Sequence, residues 1–170
     1  MSPSHVLVPS PIGDLTVVAD GGAVTRVLMD AAKHRPAAPE VFGDVADLAD
    51  EPFASTAAQL AAYFSGSLRT FDLPLAPHGD AFHQRVWALL REIPYGETRG
   101  YGQLATALGD RNLAQAVGTA NGRNPIAVVV PCHRVVGADG SLVGYAGGLD
   151  RKRFLLALEE RPAAEAGRLF

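Results

Sequence analysis

The stretch Asn121–Val136, NGRNPIAVVVPCHRVV, carries the only cysteine among 170 residues. Its apolar run, Ile126 to Val130, reads as a fully buried strand, and Pro131, which cannot donate to a sheet ladder, should end or bend it. Cys132 then sits at the strand's mouth. Neighbouring side chains of an extended chain point to opposite faces, so Cys132 and His133 can communicate only through a backbone bend or a bridging water. A histidine that accepts the thiol proton raises the thiolate fraction of a group whose ordinary pKa is about 8.5. Taken alone, such a pair is more often an inert small buried hydrophobe beside a satisfied surface histidine.

Upstream, Asp80 caps a helix carrying Phe82, Val86, Leu89 and Leu90 on one side, which Pro94 ends. Two short helices follow. YGQLATAL runs from Tyr101 to Leu108, GDRN turns, and LAQAVGTAN runs from Leu113 to Asn121 before Gly122 stops it. Helix, glycine-containing turn and small-residue helix form the pattern of a helix-turn-helix, although most such pairs simply pack a core. Downstream, DRKRFLLALEE reads as a helix capped by Asp150, with Phe154, Leu155 and Leu158 facing the core. Glu159 falls at the edge of that face and Glu160 toward solvent. A carboxylate at Glu159 could orient a histidine and stabilise its charged form; an ordinary charged residue near a helix end is the other reading.

The first half has a different texture. HVLV, LTVVA and AVTRVLM are short β-branched runs, the last two joined by Asp20-Gly21-Gly22 as a hairpin. After a loop rich in Ala and Pro, PFASTAAQLAAYFSG places Phe53, Ala57, Leu60 and Phe64 at helical spacing and stops at Gly66. LPLAPHG breaks the pattern. The expected fold is therefore α/β in two parts. Residues 1–78 form a small α/β scaffold domain with a β-sheet and no visible chemistry. Residues 79–170 form a mostly helical domain containing the helix-turn-helix and a short strand that ends at Cys132.

Composition narrows the class. At 48% hydrophobic, a chain of this length can bury a substantial core. One cysteine excludes an intramolecular disulfide and any multi-cysteine zinc site. The first residues lack a basic start followed by an apolar stretch, and no run approaches the roughly 20 apolar residues of a membrane helix. A soluble chain in a reducing, cytoplasmic setting is expected, with no membrane partner. Residues 1–79 carry four Lys/Arg against nine Asp/Glu, whereas residues 80–161 carry ten against eight. The second half is thus the better candidate for an anionic partner.

PCHRVV (131–136), followed by GYAGGLDRKRFLLALE (144–159) and preceded by IPYGETRGYGQLA (93–105) and NGRNP (121–125), closely resembles the methylated-DNA–protein-cysteine methyltransferases, the O6-alkylguanine-DNA alkyltransferases. The similarity covers the chain from about Phe82 to Glu159; the first half fits the family's small N-terminal domain loosely. The resemblance implies that Cys132 accepts the alkyl group from O6 of a damaged guanine, and from O4-alkylthymine, irreversibly and once. His133 would activate Cys132 through a water, Glu159 would hold His133, and Asn124 would support the network. Tyr101 would donate a hydrogen bond toward N3 of the leaving guanine. Val135, Val136, Tyr145 and Gly147 would line the pocket.

The same resemblance implies base flipping from double-stranded DNA, with the second helix in the minor groove. Ala114, Gln115 and Gly118, with Arg111, Arg123 and Arg134, would meet the DNA. It implies no cofactor, no metal, and a monomer in solution, with cooperative assembly along DNA left open. Two positions depart from the family pattern: Gln115 stands where an arginine usually fills the space of the extruded nucleotide, and Ala146 where a serine is common. The alternative class is a non-catalytic alkyltransferase-like lesion sensor, but those proteins lack the acceptor cysteine. A cysteine hydrolase would need an oxyanion hole that the sequence does not display, and a transcription regulator would leave PCHRVV unexplained.

Overall fold

Gly21 and Gly22, at φ 63° and 84°, close the first hairpin of the computed structural model, which describes residues 2–30, 32 and 39–160. Positive φ at both central positions is what a tight two-residue hairpin turn requires, and glycine adopts it without steric cost. The hairpin joins β2 (Leu15–Asp20) to β3 (Ala23–Met29). With β1 (Ser4–Val8) and the two-residue β4 (Asp44–Val45) they form a sheet of order β3-β2-β1-β4, in which only the β1–β4 pair is parallel. Helix α1 (Phe53–Phe64) buries Phe53, Thr56, Leu60 and Tyr63. The expected face is therefore rotated by one residue at its end: Tyr63 is fully buried while Phe64 is only partly so.

Segments from outside the sheet complete the outer edge of β3. The Val24 N–H donates to Pro74 O at 2.8 Å, and the Ala76 N–H donates to Val24 O. Further along, the Val27 N–H donates to Pro125 O at 2.9 Å and the Ala127 N–H to Val27 O at 3.1 Å. The first half thus fixes the backbone a few residues before Cys132.

In the second half, α2 (Ala81–Arg91) begins as expected, with Asp80 Oδ1 accepting the His83 N–H at 2.8 Å. The Trp87 indole N–H donates to Ala120 O at 2.8 Å and ties α2 to the helix pair. That pair is α3 (Tyr101–Ala107) and α4 (Ala114–Gly122), packed through Ala105, Val117 and Ala120. Gly109, at φ 103°, ends the first helix, and Asp110 caps the single 3-10 turn that leads into the second by accepting the Asn112 N–H. The arrangement is a helix-turn-helix. A two-residue parallel pair, β5 (Arg99–Gly100) with β6 (Val135–Val136), and α5 (Leu149–Glu160) complete the described chain.

Two local expectations need correction. The run Ile126–Val130 is not a strand. Ile126 makes a single bridge to Val27, and the chain then turns back on itself, with the Val130 N–H donating to Ile126 O and Val128 at φ 69°. The cause is Asn124, whose Oδ1 accepts the Ile126 N–H at 3.0 Å and whose Nδ2 donates to Val130 O at 2.8 Å. Ile126, Val128, Val129 and Val130 are all buried, so an unbroken apolar run marks burial without marking extension. The strand follows the cysteine instead of leading to it. In α5, Asp150 lies inside the first turn and pairs with Arg153, and Phe154 is 40% exposed where a core position was expected.

Among the described residues, no helix is long and apolar enough to cross a membrane.

Candidate active site

Cys132 opens a one-turn 3-10 helix, Cys132–Arg134, so consecutive side chains diverge around a tight bend. The sulfur is nearly buried, and burial pushes the thiol's pKa up. Asn124, Lys152 and Tyr145 oppose that rise by favouring the thiolate. The Tyr145 hydroxyl faces this site but makes no hydrogen bond of full geometry. The cysteine carbonyl accepts from Asn121 Nδ2 at 3.4 Å.

The His133 ring is fully buried, with Nε2 2.7 Å from Glu159 Oε2. Burial lowers the histidine's pKa and outweighs the support from Glu159. Glu159 is a carboxylate, so Nε2 carries the hydrogen and a neutral ring presents Nδ1 as a free acceptor. Nδ1 is buried without a protein partner. The bend after Pro131 is present, yet Cys132 and His133 make no direct hydrogen bond.

Glu159 collects donors from three side chains. Oε1 accepts Arg134 Nε at 2.8 Å; Oε2 accepts His133 Nε2, the Tyr63 hydroxyl at 2.5 Å and Arg134 Nη2 at 3.1 Å. Burial alone would raise its pKa, but the hydrogen bonds from His133 and Arg134 overcome that and hold it down at about 2. Burial and the Glu159 charge push Tyr63 well above the usual tyrosine range, so it serves as a neutral donor.

The expectation that Arg134 meets DNA is overturned. Its guanidinium points inward, bound to Glu159 and donating to Ile93 O at 2.6 Å, and lies over the Tyr95 ring. Val135 and Val136 do not line the cavity at the cysteine. Val135 is fully buried, and Val136 faces a separate cavity of about 840 Å³ that also holds Arg111.

A small cavity of about 80 Å³ reaches Cys132 between Met29, Asn124, Tyr145 and Gly147. A Cβ on Gly147 would meet Met29 Sδ at 2.4 Å, so any larger residue there would displace the Met29 side chain. Through Arg123, Tyr145 and Ala146 this cavity adjoins a cleft of about 750 Å³, which Tyr101, Ala114, Gln115 and Gly118 also line. The Tyr101 hydroxyl donates to Val143 O at 3.3 Å, and burial raises its pKa, with a smaller contribution from Cys132.

Sequence reasoning missed three residues. Lys152 is buried and donates from Nζ to Val135 O at 2.6 Å and to Val143 O and Gly144 O at 3.1 Å, which fixes the loop beside the site. Its spacing with Leu155 and Glu159 on one helical face was a usable signal. Asn121 was read only as a helix end. Nothing in the sequence links Tyr63 to Glu159.

Two family models match. That of the 6-O-methylguanine DNA methyltransferase DNA binding domain covers residues 81–161, and that of the 6-O-methylguanine DNA methyltransferase ribonuclease-like domain covers residues 5–77. The chain is 47% identical over 163 residues to a methylated-DNA–protein-cysteine methyltransferase of Mycolicibacterium paratuberculosis, spanning 96% of each. This chain belongs to the methylated-DNA–protein-cysteine methyltransferase family. A relative of that name from Methanosarcina acetivorans is 46% identical over 155 residues, 91% of this chain and 97% of its own. The crystal structure of the Mycobacterium tuberculosis O6-methylguanine methyltransferase superimposes with a TM-score of 0.85 at 44% identity, covering 99% of both chains. A structure of Mycobacterium tuberculosis OGT in complex with DNA gives 0.83 at 45% identity, covering 94% of this chain and 93% of that one. Gln115 and Ala146, the two positions expected from the sequence to depart from the family pattern, both line the cleft.

Proposed function

We propose that this DNA-repair methyltransferase takes the alkyl group of O6-alkylguanine onto Cys132 in one irreversible step, after the damaged nucleotide has swung out of the duplex into the cleft. The observation that carries the reading is the chain's single thiol beside His133, whose ring is hydrogen-bonded to the buried Glu159, next to a cleft walled by α4. A water between Sγ and His133 Nδ1 would pass the thiol proton to the ring, and a buried unpartnered nitrogen favours such a water. Glu159 then balances the imidazolium charge. The S–C bond forms as the C–O6 bond breaks, and the electron pair returns to the base. Tyr101, kept un-ionised, donates a hydrogen bond to N3 so that the base departs without full negative charge. Asn124 holds the turn that presents the sulfur.

The product is a thioether that no side chain in the site can cleave, so each molecule acts once. O4-alkylthymine presents the same alkyl–oxygen bond and falls within the same chemistry. The small residues Ala114 and Gly118 suit close approach of α4 to the minor groove of double-stranded DNA. The reaction calls for no cofactor or metal. We place the protein in the cytoplasm, where a lone thiol stays reduced, as a monomer with residues 1–78 and 79–170 as its two domains.

Intact mass after incubation with O6-methylguanine duplex tests this. One methyl on Cys132, never exceeding one per protein, is the expected result. Unchanged mass with retained DNA binding would make the protein a lesion sensor, and continued turnover would overturn the single-use mechanism.

A further inference from the structure

Past Gln115, toward the C-terminal end of α4, a second cavity opens, of about 490 Å³, and the two halves of the chain build it together. Thr25 and Arg26 come from β3, His83 from α2, and Thr119 and Arg123 from α4 and its C-cap. Arg26 is half-buried and Arg123 exposed. Neither guanidinium has a hydrogen bond or ion pair among the described residues, whereas most other arginines do. Arg85 donates to Leu108 O, Arg99 pairs with Glu97, Arg134 with Glu159, Arg153 with Asp150, and Arg151 donates to Asp30 O. The cavity also holds Asp80, whose Oδ1 accepts the His83 N–H and lies 2.7 Å from the His83 ring nitrogen instead of pairing with either arginine. The two arginines are therefore cations without an ion-pair partner among the described residues, facing one space whose lining holds a single carboxylate, Asp80.

The position of that space identifies its ligand. Arg123 and Thr119 line both this cavity and the cleft in front of α4, and Gln115, Thr119 and Arg123 follow one another at four-residue intervals along the helix. At 1.5 Å per residue this line is about 12 Å long, some three to four nucleotide steps of a DNA strand at 3.4 Å each. A strand that places its damaged nucleotide at Gln115 would run its backbone toward Arg123 and Arg26. The whole chain carries a net charge of −3, so attraction for DNA must come from local clusters of this kind.

We propose that Arg26 and Arg123 form a phosphate clamp on the DNA backbone, so that the sheet of the first half takes part in holding the substrate. This inference rests on the DNA reading above. It adds a binding site, and gives the first half a share in DNA contact.

The test is the salt dependence of affinity for an O6-methylguanine duplex, measured before transfer at low temperature. Each cation that neutralises a phosphate contributes about 0.9 to the slope of log affinity against log salt. Arg26→Gln and Arg123→Gln should each lower the slope by about that amount, and the double variant by about twice as much. Arg26→Lys should keep it, which separates charge from packing. Arg91→Gln, at an exposed arginine on the last turn of α2, should leave it as in the parent. An unchanged slope in the double variant, or an equal fall in Arg91→Gln, overturns the clamp. If the parent protein shows neither salt-dependent binding nor methylation of Cys132, the proposed function itself fails instead.

Discussion

The Tyr63 hydroxyl donates to Glu159 Oε2 at 2.5 Å, joining α1 of the first half to the last turn of α5 across 96 residues of chain. A buried carboxylate is costly unless its oxygens are filled, and this one is filled partly from the domain that its sequence marks only as scaffold. Tyr63→Phe removes one donor and little volume. It should cost about 1.5–3 kcal/mol of stability, the worth of a hydrogen bond to a charged group. It should also slow single-turnover transfer, because His133 loses a fixed partner. Denaturant titration and rapid-quench kinetics check both outcomes, and a wild-type rate would restrict Tyr63 to stability.

Stability should fall in acid through a window set by Glu159. Its pKa drops from an ordinary 4.5 to about 2 on folding, so between those values the unfolded chain binds the extra proton. The stabilisation is complete above about pH 4.5 and is lost as pH falls toward 2. Glu159→Gln should be less stable than the parent near neutrality, and the gap should close through the same window. Urea midpoints at several pH values provide the measurement; a constant gap would contradict the assignment.

Burial holds the Cys132 thiol above its ordinary pKa, so transfer depends on His133 as the proton acceptor near neutrality. Replacing His133 with Gln should slow transfer by about 10²- to 10⁴-fold, the usual worth of a general base. Raising the pH should recover part of that loss, as hydroxide replaces the missing base. An identical pH profile in both proteins would remove His133 from the proton path.

Gln115 is exposed in the cleft, at the position where the family resemblance leads to the expectation of an arginine. An extruded base leaves a gap that a long cation fills well, helped by the phosphate field; glutamine is shorter and neutral. Gln115→Arg should therefore speed repair of duplex DNA several-fold. Reaction with free O6-alkylguanine base, which needs no extrusion, should not change. Equal duplex rates would mean that glutamine already fills the gap.

What could be read from the sequence follows from the range of the forces involved. The hairpin at Gly21-Gly22, the Asp80 cap and the α3–α4 pair are set by neighbours within four residues, and all were legible. The cysteine, His133 and Glu159 were legible through motif order. The Ile126–Val130 turn was not, because its conformation comes from one side chain, Asn124, outbidding sheet geometry in a run whose burial suits either. Arg134 was misread because an arginine beside a catalytic motif has the same letter whether it faces DNA or a buried carboxylate. Tyr63 finds its partner only after the halves have packed together, and Lys152 only once α5 has packed against Val135 and the loop at Val143 and Gly144.

The outer edge of β3 has a consequence for how the protein can be divided. Val24 and Val27 give their outward N–H and C=O groups to residues 74–76 and 125–127, and the second of these segments belongs to the other half. An unpaired strand edge is a template for joining another chain. Cut away from residues 79–170, the first half would expose the Val27 stretch of its β3 edge and invite strand-to-strand self-association. The segment that positions the reactive sulfur thus also keeps the neighbouring sheet from aggregating.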